Sequence, residues 1–275
     1  MHRDDGLCAV GAAALRGVAG GPVSLAGDFE RALDPATIFT AAGMVPDPWQ
    51  AAVLRSTHPR QLLLCSRQSG KSTTVAALAV HSALFDPGLV LLFAPAQRQS
   101  TELFKKVTAL YRSLPDVPEP VALTETRMEL PNGSRIIALP GTEATTRGFS
   151  APRLIVVDEA SRTEDALYAA LRPMLATTST QADQGRMVCL TTPWGRRGWY
   201  FEQWEHGGDV WERTKITAHD CPRITPEWLA EERKLVGDFI FRQEYLCEFV
   251  DTEEQVFPSE LIERAVRPAG GPLWA

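Results

Sequence analysis

The chain has 275 residues, 44% hydrophobic and 23% charged, with a formal net charge of −6 and a pI near 5.5. That is ordinary globular composition, which excludes collagen-like, coiled-coil and wholly disordered chains and allows one large domain or one domain with a small appendage. Net acidity excludes a surface that wraps nucleic acid electrostatically on all sides, but not a local basic contact.

Residues 1–45 contain no Lys, Trp or Tyr and show no sustained period, which predicts a loosely ordered arm with a helix near residues 28–34. Residues 6–15 imitate the core of a secretion signal, but Asp4 and Asp5 offset His2 and Arg3 where such a signal needs positive charge. From Pro46 the texture changes to apolar runs alternating with amphipathic stretches, the pattern of strands interleaved with helices. Buried strands are expected at 62–65, 89–94, 154–157 and 187–191, and helices at 70–84, 99–114, 164–175, 198–206 and 225–235, the last opened by Thr225 with Pro226 behind it. Residues 121–139 read as a hairpin turning at Asn132-Gly133. Continuous apolar strands separated by helices imply an α/β fold, a mostly parallel central sheet with helices on both faces.

The longest apolar runs, such as Leu89 to Ala94, are far short of the ~20 residues that cross a bilayer. Cys8, Cys65, Cys189, Cys221 and Cys247 are odd in number, widely separated and never paired as CxxC, which suits neither a disulfide framework nor a zinc site and predicts a reducing cytoplasm. The histidines lack metal-ligand spacing; His219-Asp220-Cys221 is the one cluster of ligand types.

Cys65 to Thr73 reads CSRQSGKST between a predicted strand and a predicted helix. A helix start supplies free backbone N–H groups and the positive end of the dipole, so a loop there is an anion site. Lys71 is then placed to reach β and γ phosphates and the Ser72 hydroxyl to ligate Mg2+, although Cys65 stands where the general GxxxxGK[ST] pattern has its first glycine. Leu154 to Val157 ends in Asp158 and Glu159. At a strand terminus Asp158 is expected to hold Mg2+ and Glu159 to orient and deprotonate an attacking water. Phosphoryl transfer depends on positioning and charge neutralisation, so this set is a sufficient minimum.

Arg147 lies in a Thr-rich loop eleven residues before Asp158, where it is expected either to meet the γ phosphate of its own or a neighbouring subunit's nucleotide or to be a plain surface arginine. Trp49-Gln50 offers an aromatic and an amide to an adenine, against helix packing as the ordinary role of Trp49. Thr191-Thr192 ends a strand where hydroxyls sense a γ phosphate. Arg196 and Arg197, flanked by aromatics, are either DNA-phosphate contacts or solvated charges.

Taken together these residues resemble the ATPase half of the large terminase subunit, the genome-packaging motor of tailed bacteriophages and prophages. The likeness runs from about Pro46 to Phe257 and rests on Trp49-Gln50, SRQSGKST from Ser66 to Thr73, Thr146-Arg147-Gly148, LIVVDEAS from Leu154 to Ser161, LTTPWGRRGWYFEQW from Leu190 to Trp204, and Phe241 to Phe249 as the closing segment. The resemblance implies a P-loop NTPase of the ASCE/RecA-like type with a small lid-like subdomain. It divides the chain into an arm at 1–45, an ATPase domain at 46–257 whose lid-like part starts at about 210, and a tail or linker at 258–275. By the same resemblance Ser66, Arg67, Gln68, Ser69, Gly70, Lys71, Ser72 and Thr73 bind ATP with Mg2+, and the loop arginine Arg67 responds to nucleotide. Arg147 is the finger offered in trans, and Thr191 and Thr192 couple hydrolysis to movement. The implied partners are double-stranded DNA, a portal protein, a terminase small subunit and further copies in a pentameric ring, in the cytoplasm of a bacterial host.

Members of that family normally continue into an RNase H-like nuclease domain, whose place would begin near Ala275. A helicase shares several of these motifs, but only 83 residues follow Thr192, too few for a second RecA-like domain. A nucleotide-binding assembly module without productive turnover is the alternative of a different class.

Overall fold

The computed structural model describes residues 25–176 and 185–250. The first part of the expected arm with Cys8, and the expected tail at 258–275, lie outside the described residues. The helices α1 (Leu25–Leu33), α2 (Thr37–Ala41) and α3 (Pro48–Arg55) precede strand β1 (Arg60–Cys65) and helix α4 (Lys71–Phe85). Strand β2 (Leu89–Ala94) and helix α5 (Gln97–Ser113) follow, then the short strands β3 (Ala122–Leu123) and β4 (Arg127–Glu129) and strand β5 (Arg135–Pro140). The second half runs α6 (Glu143–Thr146), β6 (Leu154–Asp158), α7 (Asp165–Met174), β7 (Arg186–Thr191), α8 (Gly198–His206), β8 (Glu212–Ile216), α9 (Pro226–Val236) and α10 (Asp238–Glu244).

The eight strands among the described residues form one sheet in the order β3-β4-β5-β2-β6-β7-β1-β8. All pairings from β5 to β8 are parallel; β3, β4 and β5 form an antiparallel meander at one edge. The expected hairpin is thus β4 and β5 about Asn132-Gly133, where Gly133 takes φ +86° and Asn132 Nδ2 donates to the Ala83 carbonyl at 2.8 Å.

Side chains alternate along each strand, so successive residues feed opposite layers. Leu63, Cys65, Val90, Leu92, Val156, Val188 and Leu190 face α3, α4 and α5. Leu62, Leu64, Leu91, Phe93, Ile155, Val157, Met187 and Cys189 face α7 and α8. Helices on both faces explain the unbroken apolar runs, and the architecture is the expected α/β one, a mostly parallel central sheet covered on both sides. The α4 sequence, KSTTVAALAVHSALF, is apolar on most sides and is buried from Thr74 through Val80. A small third cluster of Ala218, Leu229, Phe241 and Tyr245 joins α9 and α10.

Two features differ from the sequence reading. The packed core begins ahead of Pro46, because Ala36, Ile38 and Phe39 are buried against α3 and α4; this short apolar turn is too brief to show a period. Strand β8 extends the sheet into the stretch from about 210 that was expected in the lid. Its sequence, ERTKI, lacks an apolar run, and its place is set by backbone pairing with β1 and by Glu212 Oε2 accepting from Ser56 Oγ at 2.5 Å and Gln61 Nε2 at 2.7 Å.

Candidate active site

In a parallel sheet the carboxyl ends of the strands share one edge, where connecting loops meet. Here β1 ends at Cys65, β6 at Asp158 and β7 at Thr191, and β7 lies between the other two. After Cys65 the chain turns through buried Ser66 and Ser69 into α4. Ser66 N donates to the Ile216 carbonyl at 2.8 Å, and Ser69 Oγ donates back to the Ser66 carbonyl at 2.9 Å. Gln68 and Gly70 take φ of +60° and +93°. A Cβ on Gly70 would lie 2.8 Å from Gln50 Nε2, so glycine is required by both conformation and space.

Two ties hold this loop to distant segments. Arg223 makes a bidentate pair with buried Asp47, at 2.9 and 2.7 Å, and also donates to the Ser69 carbonyl at 3.1 Å. Arg67 N donates to the Glu244 carbonyl at 3.0 Å, and its Nε donates to Glu244 Oε2 at 2.5 Å. The loop is thereby joined to α10 and to the residues before α9.

Lys71 Nζ lies 3.0 Å from Glu159 Oε1. Burial works against the Lys71 charge, but Glu159 and Asp158 outweigh it and hold the ammonium above the ordinary lysine range. Burial, reinforced by the neighbouring Glu159 charge, pushes the Asp158 carboxyl up to about 6 despite Lys71. Ser72 Oγ donates to Asp158 Oδ2 at 3.5 Å, and Glu159 N to Asp158 Oδ1 at 2.9 Å. Glu159 itself has φ +50° and ψ 44°, a left-handed turn that sends the chain into the 3-10 turn Ala160–Arg162. Thr191 Oγ1 is 3.5 Å from Glu159 Oε2 and 2.6 Å from Ser161 Oγ, which also donates to the Thr192 carbonyl at 2.9 Å.

These groups open on a cleft of about 570 Å3 lined by Arg67, Gln68, Gly70, Lys71, Ser72, Thr73 and Glu159, all expected from sequence. Three further lining residues, Gln99, Lys106 and Arg162, were not. Four cations, Arg67, Lys71, Lys106 and Arg162, meet one lining carboxylate, a balance that suits a polyphosphate at a helix N-terminus.

Other expected residues sit elsewhere. Gln50 is 3% exposed; its Oε1 accepts from Asp47 N at 2.8 Å and its Nε2 donates to Thr74 Oγ1 at 3.1 Å, so its amide fixes α3 to α4 rather than lining the cleft. Trp49 packs against the core, and its Nε1 is buried with no partner among the described residues. Thr192 is buried. Arg147 is 78% exposed and pairs with Glu143 at 3.1 Å. Arg196 and Arg197 are exposed, with the Arg196 guanidinium 5.8 Å from the Phe201 ring centre. Asp220 closes a turn by accepting from Thr217 N and Oγ1 at 2.8 and 2.7 Å, and among the described residues no His, Cys, Asp and Glu group is arranged to hold a metal by itself. No described helix is long and apolar enough to cross a membrane.

Of the residues missed, Arg162 stands three positions after Glu159 and Lys106 on the polar side of α5, signals that become visible only once the cleft is assembled. Arg223 and Glu244 carry no local signal, since their partners are more than 150 residues away in sequence.

The model of the family described as terminase large subunit, T4likevirus-type, N-terminal, matches residues 62–264. The terminase large subunit of Thermus phage G20c is 27% identical over 256 residues, covering 80% of this chain and 52% of that protein; the chain spans about half the length of the curated relatives it matches. Among solved structures, the large terminase ATPase domain of Thermus phage P74-26 superposes with a TM-score of 0.65 at 24% identity, over 77% of this chain and 97% of that one. A large terminase from a thermophilic bacteriophage, in complex with ADP, superposes at 0.56 and 10% identity, over 79% of this chain and 53% of that one. With the family model covering well over half of the sequence and the same fold recurring in these structures, the chain belongs to the terminase large-subunit family, in its T4likevirus-type N-terminal part.

Proposed function

We propose that this chain is the ATP-hydrolysing motor portion of a terminase large subunit, coupled to translocation of double-stranded DNA during viral genome packaging. The observation that carries this reading is the convergence of Lys71, Ser72 and Glu159 on one cationic cleft at the carboxyl edge of the sheet, with Asp158 behind Ser72. The ADP complex of the large terminase from a thermophilic bacteriophage supports a nucleotide as the ligand.

In this mechanism the N-terminus of α4 and Lys71 bind the β and γ phosphates. Glu159 orients the attacking water and accepts its proton, a role that requires Lys71 to leave Glu159 for the phosphates. Ser72 Oγ and Asp158 Oδ2, hard oxygen donors 3.5 Å apart, fit Mg2+. Mg2+ held there would neutralise phosphate charge. Arg67 reads nucleotide occupancy through its link to α10, and Thr191 carries the state of Glu159 to Ser161 and the end of β7. Arg147, turned to solvent, is offered to the cleft of a neighbouring copy. The partners proposed are DNA, a portal protein, a small subunit and a ring of copies, pentameric on assembly.

The test is Mg2+-dependent ATP hydrolysis by the 275-residue chain beside Lys71→Ala and Glu159→Gln, with and without double-stranded DNA. Turnover abolished by both substitutions is the expected result. Tight ATP binding with no turnover, with or without DNA, favours the assembly-module reading, and absence of nucleotide binding overturns the proposal.

A further inference from the structure

Two segments meet beside Glu159 in a way that the mechanism above does not use. The Arg162 guanidinium lies 3.8 Å from the centre of the Trp194 ring. Arg162 lines the cleft with Lys71, while Trp194 directly follows Thr191-Thr192-Pro193 at the end of β7. The contact lies beside the Ser161 bridge to Thr191 and Thr192, so the turn after β6 and the end of β7 are fastened at two successive residues.

The charges in the cleft are not equally engaged. Arg67 is paired with Glu244 at 2.5 Å and Lys71 with Glu159 at 3.0 Å. Arg162 Nε is 3.9 Å from Glu159 Oε2, beyond hydrogen-bond reach. An aromatic face steadies a guanidinium without neutralising it and leaves its edge N–H groups for an anion. Arg162 therefore stands prearranged at the wall of a phosphate cleft, with no carboxylate among the described residues within hydrogen-bond reach of its Nε.

Resting on the nucleotide reading above, we propose that Arg162 is a second arginine of the chain's own cleft, one that binds the terminal phosphate of a nucleoside triphosphate and, through its stacking on Trp194, reports that phosphate to the end of β7. A diphosphate, lacking that group, leaves the edge N–H groups of Arg162 without the anion. The consequence is discrimination between tri- and diphosphate, together with a change around the indole of Trp194.

The experiment measures Mg2+-dependent binding of ADP and of AMP-PNP, a triphosphate analogue that is not turned over, to the full chain by calorimetry, with tryptophan emission followed in parallel. Wild type should bind both and change emission only with AMP-PNP. Arg162→Ala and Arg162→Gln should weaken AMP-PNP by about tenfold or more, the loss expected for a charge-assisted contact, and ADP by less than about twofold. Trp194→Phe should retain the stacking and the preference for AMP-PNP but lose the emission change. Arg162 variants that bind AMP-PNP as wild type does, or that lose both nucleotides equally, overturn the proposal, as does an emission change that survives in Trp194→Phe. If wild type binds neither nucleotide, the nucleotide reading itself fails and takes this assignment with it, whereas failure of Arg162 alone leaves wild-type binding intact.

Discussion

Lys71 Nζ and Glu159 Oε1 lie 3.0 Å apart, so the proposed phosphate lysine and the proposed catalytic base neutralise each other. Nucleotide binding has to separate them, which ties the freeing of the base to the arrival of phosphate. Removing the carboxylate releases the lysine without that competition. Glu159→Gln should therefore bind ATP as tightly as wild type or more so, while its turnover falls by roughly 10^2 to 10^4-fold, the range for loss of a general base. Equilibrium binding and single-turnover hydrolysis on the same preparation check both halves. Normal turnover in this variant removes Glu159 from the mechanism.

Gly70 is strained for any other residue twice over, by φ +93° and by the 2.8 Å approach of a Cβ to Gln50 Nε2. Gly70→Ala should destabilise the fold by about 1–3 kcal/mol in urea unfolding and lose nucleotide binding. Adding Gln50→Ala removes the collision but not the left-handed backbone. The double variant should thus recover only part of the stability, and full recovery would show that φ is relaxed at no cost.

Asp158 has its carboxyl pushed up to about 6 from an ordinary 3.8 by burial and by Glu159. A folded-state value above the unfolded one favours the protonated fold, so this group's stabilisation is complete below the ordinary value and is lost as pH rises through about 6. Ligand-free Asp158→Asn should consequently be more stable than wild type at neutral pH, by about 1–2 kcal/mol, with the difference vanishing in acid. Binding of magnesium ATP needs the ionised carboxylate and should weaken as pH falls below about 6. Melting curves and titrations across this range test the two opposite trends, and parallel trends would contradict the assignment.

Arg147, at 78% exposure with Glu143 as its neighbour at 3.1 Å, stands outside the chain's own cleft. If it serves a neighbouring copy, turnover per chain should climb with protein concentration. Inactive Arg147→Ala and inactive Lys71→Ala chains, mixed, should regain activity because each supplies what the other lacks. Concentration-independent turnover together with mixtures that stay inactive would exclude the trans role.

Local sequence was enough for the frame of this site. A buried strand, a polar turn with Gly70-Lys71-Ser72 and a helix, followed by a second strand ending in Asp158-Glu159, are set by apolar periodicity and by what phosphate chemistry requires over a few residues. Both parts fall within single elements, where side-chain pattern and backbone preference agree. Four arrangements were decided only by tertiary structure: Gln50 turned inward to Asp47 and Thr74, β8 added to the sheet despite its charged sequence, Arg67 and Arg223 joined to Glu244 and Asp47, and Arg162 laid on Trp194. Each depends on which strands become neighbours and which loops then meet at their ends, and long-range burial and pairing settle that without leaving a local mark in the chain.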